Sequence, residues 1–179
     1  MRLAAALGML AMMLAQAAQA EDDDPLATAM ARNPGRFEAQ AIDLIAGFGG
    51  ADGLRADGIE THIALERAGA RAAALRRFLA MDLDADGTVT REELAVTQRA
   101  ASAAGRGRME RQFVAADIDG NGTVSPAEMT AAGATAGLAA LDEAEAGLLR
   151  ALLRLDADAD GALTVAEVPA ALARLDEAT

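Results

Sequence analysis

The chain of 179 residues holds 28 acidic and 16 basic side chains, a net charge of −12, with one histidine and no cysteine. Disulfides and a lipid anchor on cysteine are thereby excluded, and the acidic excess makes nucleic acid and anionic lipid poor partners. Lysine is absent and alanine abundant, which resembles the codon bias of a GC-rich bacterial genome more than a structural device.

Arg2 precedes the apolar run LAAALGMLAMMLA, and AQAAQA then ends at Ala20, with Ala18 and Ala20 in a small-x-small arrangement before Glu21. Residues 1–20 have the layout of a cleavable secretory signal. A membrane anchor is the alternative, but the run falls short of the roughly 20 residues that a spanning helix needs, and EDDD follows at once. Cleavage leaves 28 acidic and 15 basic side chains, a net charge of −13, on a soluble chain with no membrane anchor. Such a chain is exported; the periplasm is the favoured destination and the extracellular space the alternative.

Residues 21–36 carry an acidic cluster, Pro25, Asn33, Pro34 and Gly35, and read as a mobile tail with one helical turn at most. From Phe37 to Phe48 the residues Phe37, Ala41, Leu44, Ile45 and Phe48 recur at helical spacing. The loop GGADGLRADGIE follows, and after it a helix is predicted to run almost continuously from Thr61 to Met81.

Next comes DLDADGTVTREE from Asp82, followed by DIDGNGTVSPAE from Asp117 and DADADGALTVAE from Asp156. Each twelve-residue segment places Asp at positions 1 and 3, Asp or Asn at 5, Gly at 6, an aliphatic residue at 8 and Glu at 12. A hard cation collects six to eight oxygen ligands at roughly 2.3–2.6 Å, and a short loop supplies them only by wrapping around the ion. In the first loop Asp82, Asp84 and Asp86 give side-chain oxygens, Thr88 its carbonyl, Thr90 a contact through water and Glu93 both carboxylate oxygens. The second assigns these roles to Asp117, Asp119, Asn121, Thr123, Ser125 and Glu128. The third assigns them to Asp156, Asp158, Asp160, Ala162, Thr164 and Glu167, and Ala162 suffices because position 7 ligates through backbone.

Thr90/Glu93, Ser125/Glu128 and Thr164/Glu167 are also capping boxes, which would start a helix without any ion. A capping box does not require three oxygen-bearing side chains at alternate positions before a glycine. Magnesium is the weaker candidate, since it prefers a strict octahedron and retains water, whereas a bidentate Glu suits calcium.

On these three loops the chain resembles the EF-hand family, and the calmodulin-like group in particular, over residues 37–179. The resemblance implies an all-α fold of helix–loop–helix motifs in two pairs, bridged at position 8 by Val89, Val124 and Leu163. Apolar residues precede each loop as that family's entering helices require: Phe78 and Met81, Met109 and Phe113, Leu152 and Leu155. Aligned on Phe48, a further loop spans 52–63 with Ile59 at position 8, but Leu54, Ala56, Asp57 and Ile63 stand where ligands or glycine belong. It reads as a degenerate EF-hand, with an ordinary helix-loop-helix leader as the alternative. The expected organisation is a pair over 37–104, with loops 52–63 and 82–93, and a pair over 105–179, with loops 117–128 and 156–167. Gly105 and Gly107 mark an expected hinge between them, and Pro169 an expected bend or early end in the last helix. Arg106, Arg108 and Arg111 form either an interaction patch or a solvated face balancing the acidic loops.

The implied cofactor is Ca²⁺, three ions per chain. Nothing argues for catalysis, and His62, with no cysteine partner and beside the degenerate loop, reads as structural or exposed. Two roles remain open, a calcium buffer or calcium-stabilised binding protein, and a sensor that engages a partner protein on calcium loading. A dockerin-like assembly module fits less well, because Glu93, Glu128 and Glu167 occupy position 12 where that family ends its loops with Asp.

Overall fold

A computed structural model describes residues 24–178; the expected signal, 1–20, lies outside them. Eight α-helices and one two-stranded ladder make up the described residues: α1 Pro25–Arg32, α2 Pro34–Phe48, α3 Ala56–Leu79, β1 Val89–Thr90, α4 Arg91–Arg99, α5 Ala103–Ala116, β2 Thr123–Val124, α6 Pro126–Ala140, α7 Glu143–Ala151 and α8 Glu167–Ala178, with a 3₁₀ turn at Leu152–Leu155. The all-α class is as expected. None of the described helices is long and apolar enough to cross a membrane.

The chain forms two compact units, one from residues 24–59 with 147–178, the other from 60–146. In the second, Phe78, Met81, Val89, Leu94, Phe113, Val124 and Met129 form a continuous buried cluster. Its centre is the antiparallel ladder that sets Val89 opposite Val124 and Thr90 opposite Thr123. In the first unit Leu26, Met30, Leu44, Ile45, Leu54, Leu155, Leu163 and Val168 are buried. There Leu54 donates to the Leu163 carbonyl at 2.9 Å, and Leu163 returns the bond at 2.8 Å.

The motifs are thus nested, which corrects the expected pairing of 52–63 with 82–93 and of 117–128 with 156–167. The cause is α3. As one helix of 24 residues it spans about 36 Å, so the loop at its start cannot bond the loop at its end. The chain instead reverses between α4 and α5, at residues 100–102, and brings the Asp117 loop onto the Asp82 loop.

The bridge position of the first motif is Leu54, not Ile59, which is buried within α3. Phe48 and Leu54 are six residues apart, against eleven from Phe78 to Val89, so this loop is five residues shorter than its relatives. A turn in which Gly50 and Gly53 exchange hydrogen bonds replaces the missing residues. Gly53 has φ +117°, and a Cβ there would stand 2.7 Å from the Leu163 carbonyl oxygen, so glycine is required on both counts.

Three further expectations are corrected. Residues 24–36 are not a tail, because α1 is capped by Asp24, buries Leu26 and Met30, and packs on α2 and α8. Asp24 also accepts both guanidinium nitrogens of Arg154, 130 residues away. Gly105 and Gly107 lie inside α5, which Ser102 caps, and mark no hinge. Pro169 falls in the first turn of α8 because that helix begins only at Glu167; its missing N–H lies where no intrahelical acceptor exists, and no bend results.

Candidate metal centres

Each Asp-rich segment is shaped by backbone turns closed on its own side chains. At position 1, Asp82, Asp117 and Asp156 accept through Oδ2 from the amides of Gly87, Gly122 and Gly161 at 3.1, 3.1 and 2.8 Å. At position 3, Asp84, Asp119 and Asp158 accept from the amide two residues on. At position 5, Asp86, Asn121 and Asp160 accept from the amides of Thr88, Thr123 and Ala162 at 2.7–2.8 Å. Three loops of different sequence therefore share one conformation. Its left-handed residues are the position-6 glycines, with φ between +83 and +87°, and position 4, where Ala85 and Ala159 stand at +59 and +58°.

The position-12 glutamates close each loop. Glu93 accepts through Oε1 from the Leu83 amide and through Oε2 from the amide and hydroxyl of Thr90, at 2.7, 2.8 and 2.9 Å. Glu128 does the same with Ile118 and Ser125, and Glu167 with Ala157 and Thr164. Full reciprocal capping boxes exist at Thr90/Glu93 and Ser125/Glu128. At Thr164 only the half from glutamate to cap is made, since the Glu167 amide donates to the Thr164 carbonyl. The position-9 amides, with the hydroxyls and the position-2 amides, hold all three glutamates below the ordinary carboxylate range, and Glu167 is lowered to about 2.

These constraints drive carboxylates together. In each loop one oxygen from position 1, one from position 3 and one from position 12 lie within 4.8 Å of one another, in the sets Asp82/Asp84/Glu93, Asp117/Asp119/Glu128 and Asp156/Asp158/Glu167. The convergent sets do not include Asp86 or Asp160. Mutual repulsion shows at Asp158: the Asp160 amide that it binds lowers its carboxyl, but desolvation and the carboxylates of Asp160, Asp156 and Glu167 outweigh this and raise it.

One atom per loop decides what the arrangement serves. Oδ1 of Asp82, of Asp117 and of Asp156 is buried and makes no hydrogen bond within the protein. A buried carboxylate oxygen without a partner is costly, and helix capping uses none of the three. Each belongs to a residue of a convergent carboxylate set, an arrangement suited to a cation. Hard, all-oxygen donors of high negative charge fit Ca²⁺, and a bound ion would supply both the missing partner and the neutralising charge.

Some contributors carry no local signal in the sequence. The position-2 amides that clamp the glutamates belong to residues of unrelated type, Leu83, Ile118 and Ala157. Arg55, from the shortened loop, donates to the Asp160 carbonyl at 3.2 Å and so reaches the third loop from 105 residues away. Its counterpart across the other ladder, Arg91, is drawn off instead, to Glu110 and over the Phe113 ring at 4.4 Å. His62 lies on α3, half-buried and outside all three clusters.

A family model described as EF hand matches residues 75–96 and again 109–131, the segments that hold the Asp82 and Asp117 loops with parts of their flanking helices. The third loop lies outside the matched segments and shares with the first two the side-chain-closed turns and the convergent carboxylates. No curated protein and no solved structure matches the chain. Two segments match this model and the helix–loop–helix geometry is present at both, which supports an EF-hand calcium-binding family.

Proposed function

We propose that this chain is an exported calcium-binding protein that takes up three Ca²⁺ ions, and that calcium serves to stabilise its fold and to be buffered by it. The observation that carries this reading is the buried, partnerless Oδ1 repeated at Asp82, Asp117 and Asp156. Asp84, Asp119 and Asp158 with Glu93, Glu128 and Glu167 would hold the same ions, Asp86, Asn121 and Asp160 would complete the side-chain set, and Thr88, Thr123 and Ala162 would add their carbonyls. Bound calcium supplies positive charge where three carboxylates converge. Export rests on the layout of residues 1–20, and the periplasm on composition. No catalytic role is assigned.

The test is isothermal titration of the chain lacking residues 1–20 with Ca²⁺ and with Mg²⁺, joined to native mass spectrometry. Three calcium ions and weaker magnesium binding are expected; two or fewer would remove the third loop, and equal affinities would remove the preference for calcium. A second reading, a sensor that engages a partner on calcium loading, is favoured by an open cleft in the 60–146 unit. Apolar-dye binding that appears only with calcium would support it over buffering.

A further inference from the structure

Position 6 of each Asp-rich loop calls for glycine, because the backbone there stands at φ between +83 and +87°. At Gly122 the reason is conformational and not steric, since an added Cβ would meet nothing nearer than Arg91 Cγ at 3.8 Å. The residue before that glycine is Asp86 in the first loop, Asp160 in the third and Asn121 in the second. The second loop therefore carries an Asn-Gly step whose glycine the loop itself demands. Asparagine occurs at one other position, Asn33, where Pro34 follows and has no N–H to give.

A side-chain amide followed by glycine is open to attack by the next backbone nitrogen, because no side chain crowds that nitrogen. Here the Gly122 nitrogen adds to Cγ of Asn121, the Cγ–Nδ2 bond breaks, and ammonia leaves with the proton that Gly122 gave up. Water then opens the cyclic imide at one of its carbonyls. Opening at Cγ puts an aspartate in place of Asn121. Opening at the backbone carbonyl reroutes the chain through Cβ and Cγ as an isoaspartyl link. Water is the sole co-reactant, and nothing is oxidised or reduced.

In the closed loop both reacting groups are tied. The Gly122 amide donates to Asp117 Oδ2 at 3.1 Å, Asn121 Oδ1 accepts from the Thr123 amide at 2.7 Å, and Asn121 Nδ2 donates to Asp119 Oδ2 at 2.9 Å. Asn121 is exposed all the same, so water reaches it. We propose that Asn121 is a self-modification site, deamidating when the second loop opens and protected while the closed loop withholds the Gly122 nitrogen. An aspartate there gives the second loop the position-5 carboxylate that Asp86 and Asp160 supply in the others, with one more negative charge. An isoaspartyl link instead lengthens the backbone ahead of Gly122 and misplaces the amide that Asp117 accepts. The proposal stands apart from the calcium reading, which adds that an ion held by Asp117 and Asn121 keeps the loop closed and slows the conversion.

The chain lacking residues 1–20 is incubated at neutral pH in denaturant, in chelator and in calcium. Asn121 is followed by peptide mass spectrometry and the intact chain by ion exchange. Conversion at Asn121 with Asn33 intact is expected, fastest in denaturant, slower in chelator and slowest in calcium. The gain of charge separates it from isomerisation at Asp86 or Asp160, which loses and regains water and changes neither charge nor mass. Asp117→Ala frees the Gly122 amide and should speed conversion in chelator about ten-fold, the low end for a hydrogen bond to a charged acceptor. Gly122→Ala should slow conversion in denaturant, where the strain of a left-handed alanine does not enter. No conversion at Asn121 in denaturant, or a native rate in chelator equal to the denatured one, would overturn the proposal. So would slower conversion in Asp117→Ala, because the carboxylate would then be promoting the reaction as a proton acceptor. Calcium without effect, with Asp117→Ala still faster, would support the proposal and fault the calcium reading instead.

Discussion

Replacing Asp82 by Asn is expected to change the sign of its effect with calcium. In the calcium-free chain Asp82 Oδ1 is buried without a partner, and one carboxylate oxygen each of Asp82, Asp84 and Glu93 lie within 4.8 Å of one another. Two unit charges at that separation repel by about 0.9 kcal/mol at the dielectric of water. Two such neighbours give about 1.7 kcal/mol, and salt screening with partial exposure brings this to about 1 kcal/mol. An Asn side chain removes the charge, keeps an oxygen for the Gly87 amide, and offers a donor to the two carboxylates. Calcium-free stability should therefore rise by about 1 kcal/mol, or about 2–4 °C in melting temperature for a chain of this size. With calcium at a hundred times its dissociation constant the native state gains about 2.7 kcal/mol per site, most of which the variant forfeits at this loop. The assay is thermal melting by circular dichroism in chelator and in millimolar calcium. A variant that melts lower in both conditions by the same amount would show that Asp82 caps a helix and nothing more.

Leu54→Ala should cost about 2–5 kcal/mol and loosen residues 24–59 and 147–178, while the Asp82 and Asp117 loops still titrate with calcium; NMR of the variant decides, and loss of the Asp82 site instead would restore the sequential pairing. Ala85→Gly should stabilise the chain in denaturant by about 0.5 kcal/mol, because relief of about 1–2 kcal/mol from an alanine at φ +59° exceeds the entropy that glycine loses on folding, and a fall in midpoint would contradict that strain. Arg55→Gln should tighten the Asp156 loop about two- to five-fold at low ionic strength, with the gain vanishing at high salt, since it removes a cation seated on that loop; site-resolved titration showing weaker binding would assign Arg55 to holding the loop in shape. Glu167 titrates at about 2 in the folded chain against an ordinary 4.5, so its contribution to stability is full above about pH 4.5 and is lost as the pH falls toward 2. Melting temperature in chelator should drop through that window, in which Glu93 and Glu128 act in the same direction, and a profile flat from pH 5 to pH 3 would remove the hydrogen bonds assigned to these carboxylates.

What the sequence made legible was local. The Asp at positions 1 and 3, the position-12 Glu and the aliphatic residue at position 8 lie within twelve residues, and the turns that bring them together close on their own side chains. The structure brings the Asp at positions 1 and 3 and the position-12 Glu of each loop together, and it buries Val89 and Val124 at position 8. Pairing was not local. An aliphatic residue at Ile59 fits a bridge by pattern alone, and only the length of α3 reveals that its neighbour in sequence is out of reach. The N-terminal segment misled for the same reason. Asp24, Pro25 and Asn33 look like breakers until Leu26 and Met30 meet α8 and Asp24 meets Arg154 across the chain. Pro169 was placed correctly and misjudged, because the start of α8 shifted to Glu167 and turned an interior proline into one in the first turn.

The nesting of the motifs also sets an order in time. The unit of 60–146 is continuous in sequence, so all its partners have left the ribosome or a translocation channel once its last helix has. The other unit holds its first strand partner, Leu54, until Leu163 arrives 109 residues later. Closing that interval from an unfolded chain is slow, whereas a middle already compact brings its two ends within reach. The molecule is therefore built from the inside outward, and a chain cut short after residue 146 would keep two calcium loops while α1 and α2 were left with nothing to close upon.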